Sequence, residues 1–150
     1  MNDHPKLNLI VMAEDDSDDQ LLVKDAINEC GWEGSVCFVQ NGEELLNYLL
    51  HRGPYAAPGT APRPGLILLD LNMPRKDGRE ALRDIKADAD LRRIPVVVLT
   101  TSRADTDIGA AYDLGANSFI SKPVQFEELV NVMRRLQQYW FNTVMLPVAK

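Results

Sequence analysis

Four polar clusters in this chain each close an apolar run. Glu14-Asp15 follow the run at 7–13, and Asp70 follows Leu66-Ile67-Leu68-Leu69. Thr100-Thr101 follow the run at 96–99, and Lys122-Pro123 follow Phe119-Ile120-Ser121. An ionised carboxylate at the end of a buried run is costly unless something compensates it. Three carboxylates in one cleft also repel each other strongly. A divalent cation offsets both costs, and a set of hard oxygen ligands points to magnesium. Lys122 would add a second positive charge and Thr100 a hydroxyl donor. An aspartate in such company is suited to accept a phosphoryl group. Metal and lysine neutralise the equatorial oxygens while the carboxylate attacks in line to form an acyl phosphate. A single Asp after a strand is more often a turn or helix cap. Four matched strand ends in order favour the chemical reading.

These groups converge only if the apolar runs are neighbouring parallel strands. Runs at 7–13, 35–39, 66–69, 96–99 and 119–121 are short and apolar, as strands buried on both faces are. Between them the spacing predicts helices at 16–30, 43–50, 78–88 and 105–114, with a long final helix at 124–141. Leu21, Leu22, Ala26 and Ile27 supply the apolar spacing of the first helix. Ala81, Leu82, Ile85 and Ala89 form the inner stripe of the third. Val124, Phe126, Leu129, Val132, Met133 and Leu136 form that of the last. The segment 51–65 holds four prolines and three glycines, a density that leaves no regular element. Five strand–helix alternations with short connections predict an α/β fold. Its core is a doubly wound, five-stranded parallel sheet with five helices, a single domain over 1–150 with its core at about 7–141. Ligands of such sheets bind at the carboxyl ends of the strands.

Composition narrows the function further. With 16 basic and 22 acidic residues the net charge is -6, which disfavours non-specific nucleic-acid binding and a polybasic membrane attachment. No apolar run approaches the roughly 20 residues that cross a bilayer. The N-terminus lacks an apolar signal core, so a cytoplasmic location is expected. Cys30 and Cys37 form no metal or redox motif and are expected as reduced thiols.

Glu14-Asp15, Asp70 in LILLDLNMP, Asp77-Gly78, Thr100 in PVVVLTTS and Lys122-Pro123 together resemble the receiver domain of two-component response regulators. The resemblance runs from about 7 to 141. It implies a flavodoxin-like topology and phosphorylation of Asp70 by a sensor histidine kinase. It implies magnesium held by Glu14, Asp15, Asp70 and the backbone carbonyl of Asn72. Thr100 would turn onto the phosphoryl group and Lys122 would pair with it. Phe119 would move inward and remodel the face built by the fourth helix, fifth strand and fifth helix. Asn72, Thr101 and Ser102 would tune the lifetime of the phosphate. The proline-rich segment, the run LLDLNMPRKDGREAL and the aromatic Tyr139-Trp140-Phe141 look more narrowly like single-domain regulators that partner phytochrome-type kinases. Glu14 stands where many members carry Asp, so its longer arm reaches metal directly or through water. Phe119 stands where Tyr is frequent and lacks a hydroxyl. Thr101 occupies a position often filled by a smaller residue; by narrowing the path of the hydrolytic water it would slow phosphate loss.

The expected role is therefore a switch, not a turnover enzyme, with only nine residues after 141 for any output. Output would pass through surface contact, a homodimer or relay to a His-containing phosphotransfer protein. A dimer or partner contact is expected at Trp140 and Phe141. Asp16, Asp18 and Asp19 read as solvated helix-capping charges. His4 and His51 read as surface residues, Trp32 as local packing and Cys37 as core. A phosphohydrolase is disfavoured because Asn72 cannot serve as a general acid. A flavin protein is disfavoured because the first strand–helix turn, AEDDSDD, is acidic. A phosphorylation-independent docking module on the same fold is the alternative.

Overall fold

The computed structural model describes residues 9–32 and 34–148. Five strands, β1 (Leu9–Ala13), β2 (Ser35–Val39), β3 (Leu66–Leu69), β4 (Val96–Thr100) and β5 (Ser118–Ser121), form one parallel sheet in the order β2-β1-β3-β4-β5. Five helices connect and follow them: α1 (Ser17–Glu29), α2 (Gly42–Leu49), α3 (Gly78–Ala87), α4 (Asp105–Asp113) and α5 (Phe126–Gln137). From β1 the chain steps one way to β2, then returns across the sheet to β3, β4 and β5. Right-handed crossovers therefore place α1 on one face and α2, α3 and α4 on the other. The order reverses between β1 and β3, which opens a crevice at their carboxyl ends.

Side chains alternate across each strand, so the two faces carry different cores. Ile10, Met12, Leu66, Leu68, Val97 and Leu99 pack under α1 and α5. Val11, Ala13, Ile67, Leu69, Val96 and Val98 pack under α2, α3 and α4. Each fully buried Leu, Ile or Val contributes about 1.5–3 kcal/mol relative to exposure. The starts of α1, α2 and α3 are set by side-chain caps that satisfy otherwise unpaired amides. Asp16 accepts from the Asp18 and Asp19 amides, Asn41 from Glu44 and Asp77 from Glu80.

Several apolar positions differ from the sequence expectation. Leu21 and Leu22 are exposed, and Val23 joins Ala26 and Ile27 on the buried face of α1. Val124 lies before α5 and is 90% exposed, Phe126 is also exposed, and Val130 takes a core place instead. Ala89 lies beyond α3 and is exposed. Apolar spacing defines a stripe, but which residues of it face the sheet is set by how the helix is turned against the core, so Val23, not Leu21 or Leu22, is buried in α1. The segment 51–65 keeps one 3-10 turn, Gly53–Tyr55, because Pro54 is preset for a helical first turn. It is fastened by Tyr48 donating to the Pro62 carbonyl at 2.8 Å, His51 Nε2 bonding the Ala61 carbonyl at 2.9 Å and Tyr55 donating to Glu44 at 2.8 Å.

Beyond Gln137 the last helix widens into a π-helical turn, Gln138–Thr143, instead of running straight to 141. Trp32 does not pack only locally: its ring meets Phe141 edge-on, with centroids 5.1 Å apart. Phe141 is thus drawn into capping the α1–α5 core, while Trp140 lines a groove with Tyr139, Ile120 and Val132. Cys30 and Cys37 are both free thiols, and Cys37 is half-buried against the core. His4 lies outside the described residues.

Gly78 governs how closely α3 approaches the end of β3. Its amide donates to the Leu71 carbonyl at 3.0 Å. A Cβ here would stand 2.2 Å from the Asp70 carbonyl oxygen and 2.7 Å from Leu71 Cα, both backbone atoms that cannot swing away. Gly78→Ala is expected to lower stability by about 1–3 kcal/mol or more, since backbone must shift. Urea unfolding of the two proteins measures it, and an unchanged midpoint would contradict this close approach.

Candidate functional site

The crevice between β1 and β3 receives side chains from four strand ends and from the first turn of α1. Asp70 is buried immediately after β3, and its amide donates to the Ala13 carbonyl at 3.1 Å. Its Oδ1 accepts from the Thr100 hydroxyl at 2.8 Å and from the Asn72 amide at 3.2 Å. Its Oδ2 accepts from Lys122 Nζ at 3.2 Å. Both oxygens are therefore held, and the carboxylate plane is fixed by β3, β4 and β5 together.

Lys122 is tied to the sheet by its amide, which donates to the Thr100 carbonyl at 2.7 Å. Its ammonium also bonds Glu14 Oε1, and it reaches Asp19 Oδ2 at 3.2 Å. Burial alone would lower the lysine pKa, but the Glu14 hydrogen bond and the charges of Asp70, Glu14 and Asp19 outweigh it and raise it. The lysine stays charged. Glu14 is almost wholly buried, and its other oxygen accepts from the Asp16 amide at 3.1 Å. Burial pushes its carboxyl up to about 7, against the lowering pull of Lys122 and that amide.

Glu14, Asp15 and Asp70 each offer a carboxylate oxygen within 4.8 Å of the others, Asp15 from the exposed rim. With Asp19 the cleft carries four carboxylates against one ammonium. That charge excess, offered by hard oxygens alone, is the donor set a divalent cation such as magnesium fits. Asn72 is exposed, and its amide bond to Asp70 shapes the turn beside this trio.

The other predicted residues lie around the cleft. Thr101 is exposed at its rim. Ser102 donates to Asp107 Oδ2 at 2.6 Å, and Asp107 also accepts from Arg79 of α3 at 3.0 Å. Those two bonds, Ser102 first, hold the Asp107 carboxyl below the usual range. Phe119 is half-buried against the α2–α4 core. Trp140 and Phe141 stand apart, by the α1–α5 core. Sequence reasoning missed Asp19, treated as a solvated cap. Its signal was its place three residues past the cap, on the turn of α1 that follows the acidic end of β1.

Residues 10–134 match the response regulator receiver domain. The chain belongs to the response regulator receiver-domain family. Such domains are signalling modules, not turnover enzymes. The chain is 38% identical to the response regulator Rcp1 of Synechocystis sp. over 141 residues, 94% of each protein. It superposes on the manganese-bound form of Rcp1 with a TM-score of 0.84 at 38% identity, covering 96% of this chain and 100% of that one. The phosphorylated cyanobacterial phytochrome response regulator RcpA is 41% identical, with a TM-score of 0.85 over 93% of this chain and 98% of that one. The resemblance therefore spans whole regulators of receiver size.

Removing the ammonium would leave Glu14 and Asp70 buried without a countercharge. Lys122→Ala is expected to cost about 3–5 kcal/mol of folding stability without added metal. Urea unfolding in chelator checks this; a loss under about 1 kcal/mol would mean that Lys122 does not hold the cleft together.

Proposed function

We propose that this receiver accepts a phosphoryl group on Asp70 from a sensor histidine kinase and passes the signal on through its surface. The observation that carries this reading is the double engagement of Asp70. Thr100 and Lys122 hold its two oxygens while Glu14 and Asp15 converge with it. The carboxylate attacks the phosphorus of a phosphohistidine. The phosphorus–oxygen bond forms as the phosphorus–nitrogen bond breaks, and the departing imidazole takes up a proton. Magnesium would be held by Glu14, Asp15, Asp70 and the Asn72 carbonyl; when bound, it supplies positive charge against the negative charge gathering on the transferring oxygens. The manganese-bound form of Rcp1 supports this assignment. Lys122 then pairs with the phosphoryl oxygens, and the Thr100 hydroxyl, already on Asp70, moves onto them. Phe119 follows by turning inward, shifting a pre-existing equilibrium of the α4–β5–α5 face.

A phytochrome-type kinase is the proposed donor, because RcpA is a phytochrome response regulator. Onward relay to a His-containing phosphotransfer protein and homodimerisation near Trp140 are the proposed outputs.

Intact mass after incubation with acetyl phosphate and magnesium tests the chemistry. A single phosphoryl adduct is expected on wild type, none on Asp70→Asn and none in chelator. No adduct under any condition would favour the phosphorylation-independent docking module. The exposed Thr101 at the rim generates a second expectation. Wild type should lose its phosphate several-fold more slowly than Thr101→Ala, followed by the decay of the adduct mass. Equal or faster loss in wild type would refute a water-excluding role.

A further inference from the structure

An ammonium has three N–H donors, and Lys122 has three carboxylate partners: Glu14, Asp70 and Asp19. Two of these belong to the trio that converges within 4.8 Å and would turn to a cation. Asp19 does not. Among the described residues it is the Lys122 partner that neither the proposed metal nor the proposed phosphoryl group would claim.

We propose that Asp19 is a positioning residue that holds the Lys122 ammonium in register with the phosphoacceptor. This inference rests on the receiver chemistry proposed above. Lys122 lines a small cleft by α1 and α5 together with Leu22, Val23, Leu99 and Leu129, and Asp19 lines the same cleft. The apolar residues of this cleft offer the ammonium no polar partner. Asp19 does, from 3.2 Å. Its own backbone is anchored, because its amide donates to the Asp16 cap at 3.1 Å. The carboxylate is therefore fixed to the start of α1, and α1 is fixed to the sheet through Val23, Ala26 and Ile27. When Glu14 and Asp70 take other partners, Asp19 keeps the ammonium from swinging out along its flexible stem.

A second effect of Asp19 would have the opposite sign. Its charge repels an anionic phosphodonor, so a pure charge gate would make its removal accelerate phosphorylation. The positioning role makes removal slow it.

The full chain is compared as wild type, Asp19→Ala, Asp19→Asn and Asp19→Glu, with Asp18→Ala, Lys122→Ala and Asp70→Asn as controls. Adduct formation from acetyl phosphate and magnesium is followed by intact mass. The Lys122 ammonium is followed by its side-chain nitrogen resonance in metal-free protein. Asp19→Ala is expected to slow adduct formation about tenfold, below the roughly hundredfold cost of a ~1 Å misplacement. Asp19→Glu, which keeps charge and acceptor, should restore most of the rate, and Asp18→Ala should match wild type. The ammonium resonance should shift or broaden in Asp19→Ala and in less degree in Asp19→Asn, whose amide oxygen still accepts. A rate in Asp19→Ala equal to or above wild type overturns the proposal, as does a failure of Asp19→Glu to recover. Neither result touches the receiver reading if wild type is modified and Asp70→Asn is not. If wild type itself takes no adduct, that reading fails, and an ammonium resonance unchanged by Asp19→Ala then overturns the positioning role separately.

Discussion

The structure depends on one ammonium group placed among carboxylates that would otherwise drive each other apart. Lys122 projects from the end of β5, Glu14 from β1, Asp70 from β3 and Asp19 from α1. Burying these carboxylates at neighbouring strand ends is unfavourable without a countercharge. A single lysine offers three hydrogen-bond donors and links elements more than a hundred residues apart in the chain. It does not neutralise the cleft. The remaining negative charge is what suits the site to a divalent cation, and the lysine is what makes the cleft tolerable without one.

The sheet order decides why these groups meet at all. Strand order reverses between β1 and β3, so α1 and α3 leave the sheet on opposite faces and leave the crevice open. Parallel pairing puts Ala13 opposite Leu69, which sets Glu14 beside Asp70 with no further adjustment. The turn after Asp70 is kept tight by Gly78, where any side chain would strike the backbone. Gly42 closes a similar approach on the other side, its amide donating to the Lys76 carbonyl at 2.8 Å. The loop after Asp70 is thus wedged between two helix starts by close backbone approach, and Leu71 and Met73 anchor it in the core.

Thr100 also ties the cleft to other parts of the fold. Thr100 joins the site to the segment leading into α4. Two residues on, Ser102 is bonded to Asp107, which is paired to Arg79 of α3. A change in the Thr100 hydroxyl therefore acts on a short, cross-braced segment and not on a loose loop. Phe119, half-buried on the neighbouring strand, borders the same core. On the opposite face, Trp32 and Phe141 clasp the ends of α1 and the final π-helical turn, closing the second core.

Strand and helix order, the parallel sheet and the convergence of Glu14, Asp15, Asp70, Thr100 and Lys122 were legible in the chain, because buried strands are short apolar runs and each of these groups lies at the end of one. Asp70, Thr100 and Lys122 announce themselves by place as much as by type. Other features were not legible. Asp19 looks like any acidic residue in a helix's first turn, and only the fold brings Lys122 from the far end of the chain to meet it. Leu21, Leu22, Val124 and Phe126 match a buried pattern locally but are exposed, since periodicity specifies a face and not what lies beneath it. The pairing of Trp32 with Phe141 depends on where two distant helices end. Local sequence determines which residues can form an element and close it. Only tertiary packing decides which distant charges and rings come within reach, because those distances are set by sheet order and helix placement.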